Sequence, residues 1–139
     1  MQITRNSLET VRGPADHTTG DVYVDTIASP SDGSRLAAVV VHFTPGARTA
    51  WHTHPHGQTI WVSEGVGLCQ REGGPVEVIR PGDRVFFEPG ENHWHGAARP
   101  AHGAHRHPAG RRRRELRLLW RARQDEQYGQ APSLAAGEN

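Results

Sequence analysis

Two short runs, His52-Thr53-His54-Pro55-His56-Gly57-Gln58 and His93-Trp94-His95, carry the side chains of this sequence best suited to chemistry. In extended backbone, residues two apart point to the same face, so His52 and His54 can converge on one point. Several nitrogens around one point make a metal site. Neutral imidazole, with amide or carboxylate oxygen, suits divalent first-row ions such as Mn, Fe, Ni and Zn, and no thiolate accompanies these residues to shift that preference. The competing explanation is exposed histidine, since ten His in 139 residues produce close pairs by chance.

Longer spacings argue against chance. Gly46, five residues, His52-x-His54, three residues, Gln58, six residues and Gly65 reproduce the first motif of the cupin superfamily, with Gln where many members have Glu. Gly82, a run ending Glu88-Pro89-Gly90, two residues and His93 resemble the second motif. In that second motif the proline falls one place late and the terminal Asn is absent. The two motifs stand in order, with 16 residues between Gly65 and Gly82. This resemblance implies an all-β, single-domain cupin, a small β-barrel or jelly roll.

The elements that must position these residues fit that expectation. Gly20 to Ala28 alternates through Val22, Val24 and Thr26, and Leu36 to Phe43 is a nearly continuous apolar run; both predict strands. Pro45-Gly46 turns the chain into an extended ligand segment that Gln58 to Ser63 continues. Further strands are expected over Val66 to Arg71, Val76 to Ile79, Arg84 to Phe87 and His93 to Ala97, separated by Gly73-Gly74 and Pro81-Gly82 turns. Short strands at such spacings favour a barrel or jelly roll over an open sheet.

A closer resemblance rests on Gly13-Pro14-Ala15-Asp16, on Pro45 through Pro55, and on Gly57-Gln58-Thr59. Gln70 through Gly74, Pro81-Gly82-Asp83 and His93 through Ala98 extend it. These are similar to small bacterial cupins that include the manganese-dependent (R)-selective hydroxynitrile lyases, over most of residues 1–98. By position the resemblance implies His52, His54, Gln58 and His93 as ligands of one divalent metal, manganese first, with iron, nickel and zinc behind. It implies His95 as a pocket histidine beside the ion, and Val39, Val41 and Phe43 as lining of the substrate cavity. His56 departs from the pattern and is read as an exposed turn residue in preference to a modifier at the pocket rim.

Three imidazoles and a neutral amide leave the ion its formal charge and, at octahedral coordination, two open positions. Such an ion is a Lewis acid toward a cyanohydrin hydroxyl, and His95 is the candidate base for the proton. A redox-active ion in the same site would suit a dioxygenase instead, and a third alternative is a cupin that binds a small ligand without turnover. Oxygen dependence separates the first two.

Length and composition bound the rest. A chain of 139 residues is expected to be one domain with a core that needs no disulfide staple. Cys69 is alone, so it reads as a small core hydrophobe. No apolar run reaches membrane length, and a cytoplasmic homodimer or homotetramer acting on a small-molecule substrate is the expectation.

Residues 99–124 do not fit. They hold nine of the sixteen Arg, including Arg111 to Arg114, against the single acid Glu115, while the rest of the chain has seven Arg and fourteen acids. A nucleic-acid arm, a solvated basic tail and a compensated frameshift are the three readings. The frameshift is preferred over nucleic-acid binding. Related cupins carry a strand pair here, of the type Ala-His-Ile-Ala-Ile-Gln, that Gly103 to Ala109 can encode one nucleotide later, and similarity resumes at Asp125-Glu126-Gln127-Tyr128. On this reading the barrel core covers about 20–98, residues 99–124 are irregular or displaced because buried unpaired Arg is costly, and 125–139 form a C-terminal tail.

Overall fold

Gly- and Pro-bearing turns cut the chain into short extended pieces, most of which bury one face. In the computed structural model, residues 1, 3, 5, 9–31, 33–99 and 116–123 are described, and within 116–123 only Leu118 is described beyond the backbone. The described residues contain eleven strands and no helix. These are β1 (Thr10–Arg12), β2 (Thr18–Thr19), β3 (Val22–Ala28), β4 (Leu36–Phe43), β5 (Arg48–Thr49), β6 (Gln58–Glu64), β7 (Gly67–Arg71), β8 (Glu77–Ile79), β9 (Arg84–Phe87), β10 (His93–Ala97) and β11 (Leu116–Arg123).

They form two antiparallel sheets. One runs β1-β3-β4-β11-β6-β9 and the other β2-β5-β10-β7-β8. Along β6 the period is two: Gln58, Ile60 and Val62 are buried, while Trp61 and Ser63 are exposed. Phe43, Ile60, Val62 and Leu118 from the larger sheet pack in one core cluster with Cys69, Ile79 and Ala97 from the smaller. Each large apolar side chain so buried contributes roughly 1.5–3 kcal/mol. The expected all-β jelly-roll architecture is the observed one, and strands β4, β9 and β10 have the expected bounds.

Two expectations need correction. The segment carrying His52 and His54 is not a regular strand: His52 makes an isolated bridge to His93, and Pro55-His56 is a turn before β6. Pro55 has no N–H for a ladder, and Gly57 adopts φ +76, where an added Cβ would meet the Phe87 carbonyl oxygen at 2.6 Å. The second correction concerns Leu116–Arg123, within the stretch 99–124 expected to be irregular or displaced. It is a central strand, pairing β4 on one side and β6 on the other, with Leu118 opposite Val41 and Val62.

Leu118 is 1% exposed. Without this strand, two rows of backbone N–H and C=O groups on β4 and β6 would face each other unpaired in the sheet interior. Leu118 also supplies the apolar side chain that the inward position demands. The run Arg111 to Arg114 and the motif at Asp125 lie outside the described residues.

Candidate metal centre

The site is built from β10, from the start of β6, and from the irregular segment between β5 and β6. His52 donates its backbone N–H to the His93 carbonyl at 2.9 Å, and His93 returns the bond at 3.0 Å. Directly paired residues share a face, so the bridge brings the two rings together. Their centroids are 4.3 Å apart. His54 follows two residues later, 5.0 Å from His52 and 5.6 Å from His93 by ring centroids. Its carbonyl accepts the N–H groups of Gly57 and Gly90, at 3.2 and 2.9 Å, which pins the turn.

His95 lies two residues beyond His93 on β10, 5.3 Å from His52 and 6.1 Å from His93 by centroids. Gly96 lets β10 approach β5 at this level, since a Cβ there would lie 2.3 Å from the Ala47 carbonyl oxygen. Gln58 opens β6 from the other sheet and places Oε1 2.7 Å from His93 Nε2. All five side chains read from the sequence as ligands or base therefore gather in one place. The compact triple is His52, His93 and His95, whose candidate ligand nitrogens lie within 4.8 Å of one another. Phe43 stands edge-on to His95 at 5.7 Å. Val39 and Val41 pack against the same core, and His56 is exposed in its turn.

The donors fit a divalent ion. His52 Nδ1 bonds the Ala50 carbonyl and His93 Nδ1 bonds the Glu91 carbonyl, both at 2.8 Å. A carbonyl can only accept, so both Nδ1 atoms carry the proton and both Nε2 lone pairs turn inward. Backbone acceptors of this kind orient ligand histidines. With its Nδ1 protonated, His93 turns its Nε2 lone pair toward Gln58 Oε1, itself an acceptor. A cation reconciles two facing acceptors. His95 adds a second sign of an incomplete site: it is 4% exposed, and both its ring nitrogens are buried without a hydrogen-bond partner.

Electrostatics keep these rings neutral. Burial lowers His54 to about 3, helped by repulsion from His52 and His93. Burial lowers His93 to about 4, against the opposing bond to Glu91. His52 is lowered by burial, and His95 well below the ordinary value by burial and then by His52, His93 and His54. Neutral imidazole is the form that binds metal. Cys69, opposite His95 on β7, is pushed up to about 11 by burial and then Glu77, which keeps it a thiol.

Sequence reasoning missed the supports. Phe87 of β9 stacks on His93, ring centroids 3.7 Å apart and planes within 7°. Ala50 and Glu91 each stand two residues before the histidine they orient, a repeated spacing that was the only available signal. Electrostatic repulsion from the neighbouring His17 is the smallest of the causes that act on His52.

Two facing antiparallel sheets with an inward cluster of imidazoles at the strand ends define a double-sheet barrel with a metal-competent centre. The chain belongs to the cupin family. Residues 39–103 match the cupin domain model. Over 99 residues the chain is 56% identical to the (R)-mandelonitrile lyase of Granulicella tundricola, covering 70% of this chain and 76% of that protein. Its fold is similar to a cupin-like protein of Thermotoga maritima, with TM-score 0.68 and 34% identity over 80% of this chain and 74% of the other. A predicted oxalate decarboxylase of the same organism shares the fold at TM-score 0.67 and 18% identity, over 87% of this chain and 96% of that one.

Proposed function

We propose that this chain is a metal-dependent lyase that cleaves and forms cyanohydrins, with His52, His54, Gln58 and His93 holding one divalent ion and His95 moving the proton. The observation that carries this reading is the contrast among the imidazoles. His52 and His93 each have Nδ1 tied to a backbone carbonyl, as ligands require, whereas His95 has both nitrogens uncommitted. A group whose two nitrogens are free of fixed partners can take and return a proton. Similarity to an (R)-mandelonitrile lyase at 56% identity supports the substrate class.

A bound ion, manganese by preference, would supply Lewis acidity toward the substrate hydroxyl. His95 accepts the hydroxyl proton as the bond between the carbinol carbon and the nitrile carbon breaks. The electron pair of that bond leaves with cyanide, and protonated His95 then hands its proton to cyanide, so aldehyde and hydrogen cyanide depart together. Val39, Val41 and Phe43 offer an apolar wall to the organic group. Burial favours neutral His95 at rest and makes its protonated form a ready acid.

Turnover of mandelonitrile by the metal-loaded protein, measured under nitrogen and in air, tests the reading. Equal rates are expected. Activity that vanishes without oxygen would make the protein a dioxygenase, and absence of turnover in both would leave a ligand binder.

A further inference from the structure

We infer that Phe87 is a positioning residue that adapts His93 to carrying a cation, an inference that rests on the metal site proposed above. Three observations converge on Phe87. Its ring lies face to face with His93, centroids 3.7 Å apart and planes within 7°. It is the direct cross-strand partner of Gln58 in the pairing of β6 with β9. Its carbonyl closes on the Gly57 position, where a Cβ would come within 2.6 Å, so the turn between His54 and Gln58 is built against it.

The stack itself is informative. Two neutral aromatic rings avoid a parallel face-to-face arrangement, because like regions of their quadrupoles oppose each other. The preference reverses when one ring is electron-poor or positive, since the π face of Phe attracts a cation. His93 has Nδ1 fixed on Glu91 and Nε2 turned toward Gln58; a divalent ion on Nε2 would draw charge from the ring lying over Phe87. The stack therefore favours the loaded form of His93 over the bare one. A flat aromatic is needed at 87, and apolar volume alone does not substitute.

The test compares Phe87→Leu with Phe87→Tyr, which keeps the flat ring, and with Ile79→Ala, a buried change on β8 at the edge of the other sheet. Manganese and zinc affinities by competition titration, thermal stability of the metal-free proteins and the histidine 1H–15N spectrum are read for each. Phe87→Leu is expected to weaken metal binding roughly 10-fold, as loss of a support behind a ligand does, and to broaden the His93 Nδ1–H signal. Phe87→Tyr should restore both, and Ile79→Ala should lose stability with affinity unchanged. Wild-type affinity in Phe87→Leu, or an equal loss in Ile79→Ala, overturns the inference. A wild type that takes up no divalent ion would count against the metal site, and the spectrum then judges Phe87: a sharp, unshifted His93 signal in Phe87→Leu refutes its positioning role.

Discussion

The backbones of His52 and His93 exchange two hydrogen bonds, of 2.9 and 3.0 Å, in an isolated bridge that ties the irregular segment to the first residue of β10. Candidate ligands from two separate motifs are thus joined by main chain alone. Preorganisation of this kind removes part of the ordering cost of metal binding.

Metal content follows from that geometry. The wild type, grown with supplementation, is expected to hold about one divalent ion per chain, and His52→Ala or His93→Ala to hold almost none, because each removes a proposed ligand and leaves its partner's ring unsupported. Elemental analysis of purified protein checks this. Metal retained at wild-type levels in both variants would place the ion elsewhere.

His95 separates a base from a ligand. As base, its replacement by Ala lowers turnover of mandelonitrile by about 10²–10⁴-fold while metal content stays at the wild-type level. As a member of the compact triple with His52 and His93, its loss would instead release the ion. Parallel measurement of kcat and bound metal distinguishes the two, and unchanged kcat assigns the proton transfer to another group.

Much of this site was legible in the sequence because metal ligation demands fixed residue types at fixed separations. His52 and His54 stood out by their separation, the resemblance to the cupin motifs added Gln58, His93 and His95 by position, and all five do gather. What escaped was structure carried by backbone and by faces. The bridge between His52 and His93 leaves no residue signature, and β1, β2 and β5, of two or three residues each, are too short to show a period. Phe87 looked like any strand aromatic, since only the pairing of β6 with β9 sets it behind His93. In β11 the alternation through Leu116, Leu118 and Trp120 was present but overshadowed by the surrounding Arg, so composition outweighed period.

Acid should destabilise the metal-free fold through the buried imidazoles. Burial first, and neighbouring rings second, hold His54 at about 3, while burial holds His93 at about 4; unfolding returns both toward 6.5. Below pH 6.5 the unfolded chain therefore binds more protons than the folded one. The stability is fully present above that pH and is lost as pH falls toward 4 and then 3. Thermal melts of metal-free protein should show Tm declining across this window, and His54→Gln should flatten the decline. A profile identical in wild type and variant would show that His54 does not titrate with folding.

Leu118 decides whether the late strand is part of the working fold. It occupies the inward position of β11, opposite Val41 and Val62, and is among the largest fully buried side chains. Truncating such a side chain removes its transfer energy and leaves a cavity, so Leu118→Ala should cost about 2–5 kcal/mol in denaturant unfolding. Leu118→Asp would bury an unpaired charge beside Val62 and Ile60 and should abolish cooperative folding. Because Val41 is its cross-strand neighbour and lies next to Phe43, which in turn touches His95, Leu118→Ala should also disturb the proposed apolar wall, raising KM for mandelonitrile more than it lowers metal content. Had the Arg-rich stretch been merely displaced tail, both substitutions would leave unfolding within about 0.5 kcal/mol of wild type, as surface changes do. That outcome would remove Leu116–Arg123 from the barrel and return β4 and β6 to the status of unpaired edges.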